Sequence, residues 1–205
     1  MAQTETMSAH RLQACEGMSA MGKKLFRYVE FDDTEELIAE IRKHPIGAFA
    51  RGITGAFISL IIVLATSALA LNLDNFNIDF GDNSHIIKLI LIAVGLVLGL
   101  LALAATALTV VIYRSSVIFI TDQKIAEVMY VSIFNRKVTQ LGVGSVEDVT
   151  VQQRGLFPRL FNYGTIVVET AGEVENCNFT MLPNPNFYSQ KIIQDHELYV
   201  QKYGN

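Results

Sequence analysis

Charge is scarce in this sequence. Asp, Glu, Lys and Arg make up 18% of its 205 residues, against 51% hydrophobic residues. An average soluble domain carries about 25% charged residues. The shortfall argues against a disordered chain and against a wholly soluble one. Basic residues are also outnumbered. The net charge is −4, so there is no broad cationic footprint for nucleic acid. Cysteine occurs only twice, at Cys15 and Cys177, outside any CxxC. That count excludes a disulfide framework and reads as two free thiols in a reducing compartment.

Missing motifs narrow the chemistry further. No P-loop, GxGxxG, HExxH or GxSxG occurs. The four histidines, His10, His44, His85 and His196, sit in separate segments, so no metal site is expected. Ser, Asp and His never fall at a spacing that favours a triad. The expectation is therefore no catalytic residue, no cofactor, no small-molecule substrate and no enzyme.

What is present is apolar length. Residues 52–73 form a charge-free run of 22, and residues 89–113 one of 25. As helices these span roughly 33 and 37 Å at about 1.5 Å per residue. A hydrocarbon core is about 30 Å thick, so each is long enough to cross. The second run holds fifteen Leu, Ile or Val residues, which favour insertion by roughly 5–9 kcal/mol as an upper bound. The absence of charge within either run leaves no carrier for an ion or proton pathway. Gly95 and Gly99 form a GxxxG in the second run. It reads either as a packing face or as chance in a helix rich in small residues.

The flanks set an orientation. Arg42, Lys43 and Arg51 precede the first run, and Arg114, Lys124, Arg136 and Lys137 follow the second. The connecting segment carries Asp74, Asp79 and Asp82 and no Lys or Arg before Lys88. Positive flanks remain cytoplasmic, so both termini are expected in the cytoplasm. The segments expected are a disordered tail at 1–24, an interfacial helical segment at 25–47, a first span at 48–73, an outer loop at 74–85, a second span at 86–113 and a cytoplasmic domain at 114–205. Met1, Met18 and Met21 are all candidate starts. Within 25–47 the spacing of Leu37, Ile38 and Ile41 predicts a helix over 33–43, with Asp33 as N-cap and Glu36 completing a capping box. The acidic cluster Asp32, Asp33, Glu35 and Glu36 then reads as a solvated helix start.

Beyond Ser115 the periodicity changes. Six short runs rich in β-branched residues, at 116–121, 124–131, 136–141, 146–153, 164–170 and 174–181, are separated by turn residues. A helix follows, with Asn184 as N-cap, Pro185 as first residue and Gly204 as C′ residue. Its stripe includes Tyr188, Ile192, Tyr199 and Tyr203.

The order of these pieces resembles a known family. Two apolar spans precede Ile118-Phe-Ile-Thr-Asp-Gln-Lys-Ile125, then a strand around Asp148-Val149, a Gly155 turn, Arg159, and Tyr163-Gly164 opening an alternating strand. This is similar to the bacterial PH-like domain of membrane-flanked proteins, over roughly residues 35–182. Lys124 stands where that pattern carries Arg, a point charge in place of a bidentate fork. The resemblance implies an α+β membrane protein, with a transmembrane helical hairpin followed by a PH-like antiparallel β barrel or sandwich capped by a C-terminal helix. It marks Asp148, Gly155, Tyr163 and Gly164 as fold-motif residues and implies an interaction or assembly role.

The candidate contact surface is Arg154, Leu156, Phe157 and Arg159, with Leu160 and Phe161 beside them. Two readings stand. Either Leu156 and Phe161 close the core and the arginines are solvated, or the patch touches the anionic leaflet or a partner chain. From Ser115 onward seven cations face nine acids, which weighs against lipid charge as the main attraction. The expected partners are the lipid bilayer and a protein or a second copy of the chain, at a bacterial inner membrane, with no nucleic acid. The alternative role is an accessory subunit of a membrane transport or export complex.

Overall fold

The computed structural model describes residues 18–26, 28–29, 31, 35–76, 83–170 and 176–204. It divides into two compact units, one of 45–111 and one formed jointly by the segments on either side of it. The expected N-cap Asp33, and residues 1–17 of the expected tail, lie outside the described residues.

The first unit is a pair of long helices, α2 (Pro45–Leu71) and α3 (Ser84–Arg114), of which the last three residues belong to the second unit. A one-turn helix, Leu73–Phe76, follows α2. Both long helices are long and apolar enough to cross a membrane, and only 17% and 11% of their most apolar windows are buried. A core helix of a soluble protein hides its apolar side chains; these display Phe57, Leu64, Leu89 and Leu100. Small residues line the seam. Ser59 Oγ donates to the Gly99 carbonyl at 2.9 Å. A Cβ added to Gly95 would fall 1.9 Å from Thr66 Oγ1, and one on Gly99 would fall 2.6 Å from Val63 Cγ2. The GxxxG is therefore a packing face. Gly95→Val should lower the thermal midpoint of the detergent-solubilised protein by the equivalent of about 1–3 kcal/mol. Gly52→Val, at a position with nothing within 4 Å, should leave it unchanged.

The second unit is built on two antiparallel sheets. One has the order β1-β2-β3-β4, with β1 (Leu37–Arg42), β2 (Val117–Thr121), β3 (Lys124–Tyr130) and β4 (Arg136–Gly142). The other has the order β5-β6-β7, with β5 (Val146–Gln152), β6 (Tyr163–Thr170) and β7 (Cys177–Pro183). A short helix α4 (Leu156–Leu160) joins β5 to β6, and α5 (Pro185–Tyr203) ends the chain. Among the described residues no ladder joins the sheets, so they do not close into a barrel.

Two expectations fail at the start of the chain. The segment expected as a helix at 33–43 is largely strand β1, paired from Leu37↔Thr121 to Arg42↔Val117. A bulge between Leu37 and Ala39 let its apolar residues imitate helical spacing. A helix this short is marginal in water, and pairing with β2 satisfies the same backbone groups. Residues 20–24 are not a disordered tail either. They belong to α1 (Ala20–Phe26), whose Leu25 is wholly buried. Ser19 caps α1 by accepting from the Gly22 N–H at 2.9 Å, while its own N–H donates to Glu40 on β1 at 2.8 Å. Glu35 is no solvated helix start. Its fully buried carboxylate pairs with Lys124 Nζ at 3.1 Å and accepts from Thr121 Oγ1.

These corrections explain the burial pattern. All five residues of β2 are buried. Ile118 and Ile120 face the inner core with Ile41, Ile125, Ile166, Phe179 and Ile192. Val117 and Phe119 face outward, under Met18, Leu25 and Val29. Phe26 stacks on Phe31 at 4.0 Å, and both meet Phe119 edge-on. A sheet covered on both faces carries continuous apolar strands.

α5 closes the inner core through Tyr188, Ile192 and Tyr199, with His196 Nδ1–H donating to the Val143 carbonyl at 2.8 Å. Tyr203 is exposed. Asn184 precedes α5 as expected but caps nothing with its side chain, and Gly204 has φ −78°, not a left-handed C′ geometry.

The PH-like domain expected at 114–205 is thus incomplete without its N-terminal segments. Residues 115–205 alone should be poorly folded, because Leu25, Val29 and Ile41 are missing and β2 lies bare. Residues 18–44 joined to 112–205 by a short flexible linker should unfold cooperatively. Circular dichroism melting of the two fragments makes the comparison.

Candidate functional site

The candidate surface centres on α4. Gly155, with φ 102°, turns the chain out of β5 into this helix, a conformation that disfavours any residue with a Cβ. The helix is pinned through its polar groups. Gln153 Nε2 donates to the carbonyls of Pro158 and Tyr163, at 3.3 and 3.0 Å. Asn162 adopts a left-handed conformation, and its side-chain amide donates to Asn184 Oδ1 at 2.6 Å. Asn184 N–H returns a bond to the Asn162 carbonyl at 2.9 Å.

The apolar side chains of α4 point the other way. Leu156 is 77% exposed, Phe157 63% and Leu160 70%. Arg154 and Arg159 are exposed beside them, and the Phe157 and Phe161 rings lie nearly parallel, 6.4 Å apart. Leu156 and Phe161 do not close the core, contrary to the first of the two readings. The surface brings together Arg154, Leu156, Phe157 and Arg159, with Gly155, Tyr163 and Gly164 at its base. Asp148 stands apart, opposite Glu169 at the far end of the β5–β6 pair, where its carboxylate accepts from the Val149 N–H at 2.8 Å. Gly164 is required by close approach: a Cβ there would sit 2.9 Å from the Gln152 carbonyl oxygen.

His44 adjoins this base. Its ring stacks on Tyr163 at 5.3 Å, its backbone N–H donates to the Met181 carbonyl at 2.6 Å, and its backbone carbonyl accepts from Tyr113 Oη at 2.9 Å. Burial holds its imidazole below the ordinary histidine range. The folded domain therefore binds this proton less readily than the unfolded chain. Stability from His44 is fully present above the unfolded value of about 6.5 and declines as pH falls through the lowered folded value. The thermal midpoint should fall on acidification from neutral pH, and His44→Gln should remove that component of the slope.

A second feature escaped the sequence reading. A cavity of about 450 Å³ opens between the sheets, lined by Lys43, Glu127, Met129, Lys137, Cys177 and Thr180 among others. Lys43 Nζ lies 3.2 Å from Glu127 Oε1, and both side chains are nearly buried. Burial raises the Cys177 thiol above its ordinary value, an effect Lys137 opposes and Glu127 reinforces, so it is a weak nucleophile at neutral pH. No local pattern marks this lining, because Glu127 lies within a run of four buried residues, Ile125 to Val128. Among the described residues no group of three His, Cys, Asp or Glu is placed to hold a metal.

The family model for the bacterial PH domain matches residues 48–194. The match takes in most of α2, all of α3, strands β2 to β7 and the first half of α5, and it begins after β1. No curated protein and no solved structure matches the chain.

Proposed function

The chain belongs to the bacterial PH domain family, and on that premise we propose that it is a non-enzymatic interaction module anchored in a membrane by α2 and α3. The flank charges orient it with both termini in the cytoplasm, at the inner membrane of a bacterium. The contact surface is the exposed face of α4, built on Phe157 and Arg159, and its partner is a protein or a second copy of the chain.

One observation carries this reading: an element fastened inward by polar bonds shows three large apolar side chains and two arginines to solvent. Exposed apolar clusters on a folded domain mark interaction sites. Aromatic and Arg anchors at an interface centre contribute about 2 kcal/mol or more each.

Phe157→Ala and Arg159→Ala should each weaken self-association or partner recovery by roughly tenfold or more, with thermal stability unchanged. Crosslinking in native membranes, followed by mass spectrometry of what is recovered, makes the measurement. Crosslinking only to a larger membrane protein would favour the accessory-subunit reading. Unchanged crosslinking in both variants would overturn the contact surface.

A further inference from the structure

We propose that the β3–β4 hairpin tip, residues 131–135, inserts into the interfacial layer of the anionic membrane that α2 and α3 cross. The inference rests on the membrane-spanning reading of those helices.

The tip has an unusual composition for a hairpin turn. Turns favour Gly, Asn, Asp and Pro, whereas this one reads Val131-Ser132-Ile133-Phe134-Asn135. Phe134 is 97% exposed, and Val131 and Ile133 are more than half exposed. None of the three belongs to either apolar core cluster.

The turn is nevertheless well built. Val131 N–H and Ser132 N–H donate to the Asn135 carbonyl at 2.9 and 3.1 Å, and Asn135 N–H donates to Ser132 Oγ at 3.1 Å. A loop that enters lipid must satisfy its backbone internally, and these bonds do so for three of its N–H groups. Arg136 at the base lies over the Tyr28 ring at 3.5 Å, which fastens the hairpin to the segment after α1.

The strand register supplies the direction. Arg42 pairs with Val117, Val117 with Val128, and Val128 with Val138. The tip therefore projects beyond the end of the sheet at which the chain leaves for α2 and returns from α3. Only Lys43 and His44 separate β1 from α2, and only Ser115 and Ser116 separate α3 from β2. Each of these linkers spans at most about 7 Å when fully extended.

Charge agrees. Arg114, Arg136 and Lys137 are exposed at this end. Among the described residues here, Glu127 pairs with Lys43, and Glu40 with Ser19 and Arg42. The domain is net acidic as a whole, yet three exposed cations lie at the end bearing the tip. Apolar side chains flanked by such cations suit the headgroup boundary of an anionic leaflet.

The test uses the full chain with both native cysteines replaced by serine, reconstituted in vesicles of phosphatidylethanolamine and phosphatidylglycerol. Single cysteines at Phe134, at Glu147 on β5 and at Leu98 within α3 carry an environment-sensitive fluorophore. The label at 134 should be quenched several-fold more by spin-labelled lipid than the label at 147, and shielded from aqueous iodide. The label at 98 should be quenched by lipid. Lipid quenching at 98 with iodide access at 134 equal to that at 147 would overturn the insertion and leave the spans intact. Shielding at 134 from both quenchers would overturn it in favour of a protein contact. No lipid quenching at 98 would overturn the spanning reading, and the insertion with it.

Discussion

The pairing of β1 with β2 is the constraint on which the domain depends. The ladder runs from Leu37↔Thr121 to Arg42↔Val117, joining segments that lie on opposite sides of both long helices in the chain. Without it β2 would be an edge strand with two apolar faces, an arrangement prone to aggregation. With it, the N-terminal segment is brought to the outer face of the sheet, where Leu25 and Phe26 cover Phe119. The helical pair is thus an insertion into a β-hairpin connection, and the domain folds from two separate stretches of chain.

Buried charge reinforces that arrangement. The Glu35 carboxylate meets Lys124 Nζ and Thr121 Oγ1 across the β2–β3 turn. Lys43 meets Glu127 on β3. Each pair joins the N-terminal stretch to the C-terminal one, so each forms only when the two are correctly registered. Removing one partner would leave an uncompensated buried charge, which is strongly destabilising, while the intact pair contributes little net stability. Their role is better described as fixing register than as adding energy. Asp195 shows the cost of partial compensation. Its carboxylate is almost wholly buried, 3.7 Å from Lys191 Nζ, and burial raises its proton affinity despite that cation.

The exposed features follow from the same economy of polar groups. In α4 the amide of Gln153 and the Asn162–Asn184 exchange consume the inward-facing carbonyls and amides, and Leu156, Phe157 and Leu160 are left outward. In the β3–β4 turn the backbone closes on itself and leaves Ile133 and Phe134 outward. Neither element is loosely attached. Both present apolar side chains on well-bonded supports, which lowers the ordering cost of any contact they make.

Local pattern was enough for much of this architecture. The charge-free runs at 52–73 and 89–113 announced α2 and α3, since length and composition alone decide whether a helix suits a bilayer. Alternation and turn residues located the six strands after Ser115, and Pro185 marked the start of α5, because those signals reside in a few neighbouring residues. The bacterial PH resemblance was legible from the Asp148, Gly155 and Tyr163-Gly164 region for the same reason. The tertiary structure alone decided the rest. Leu37–Arg42 is a strand because its hydrogen-bond partner comes from beyond both long helices, and no local period encodes a partner that distant. Glu35 is buried, and Leu156 and Phe157 are exposed, because burial depends on what the rest of the chain packs against a residue. The side chain's own polarity does not decide it.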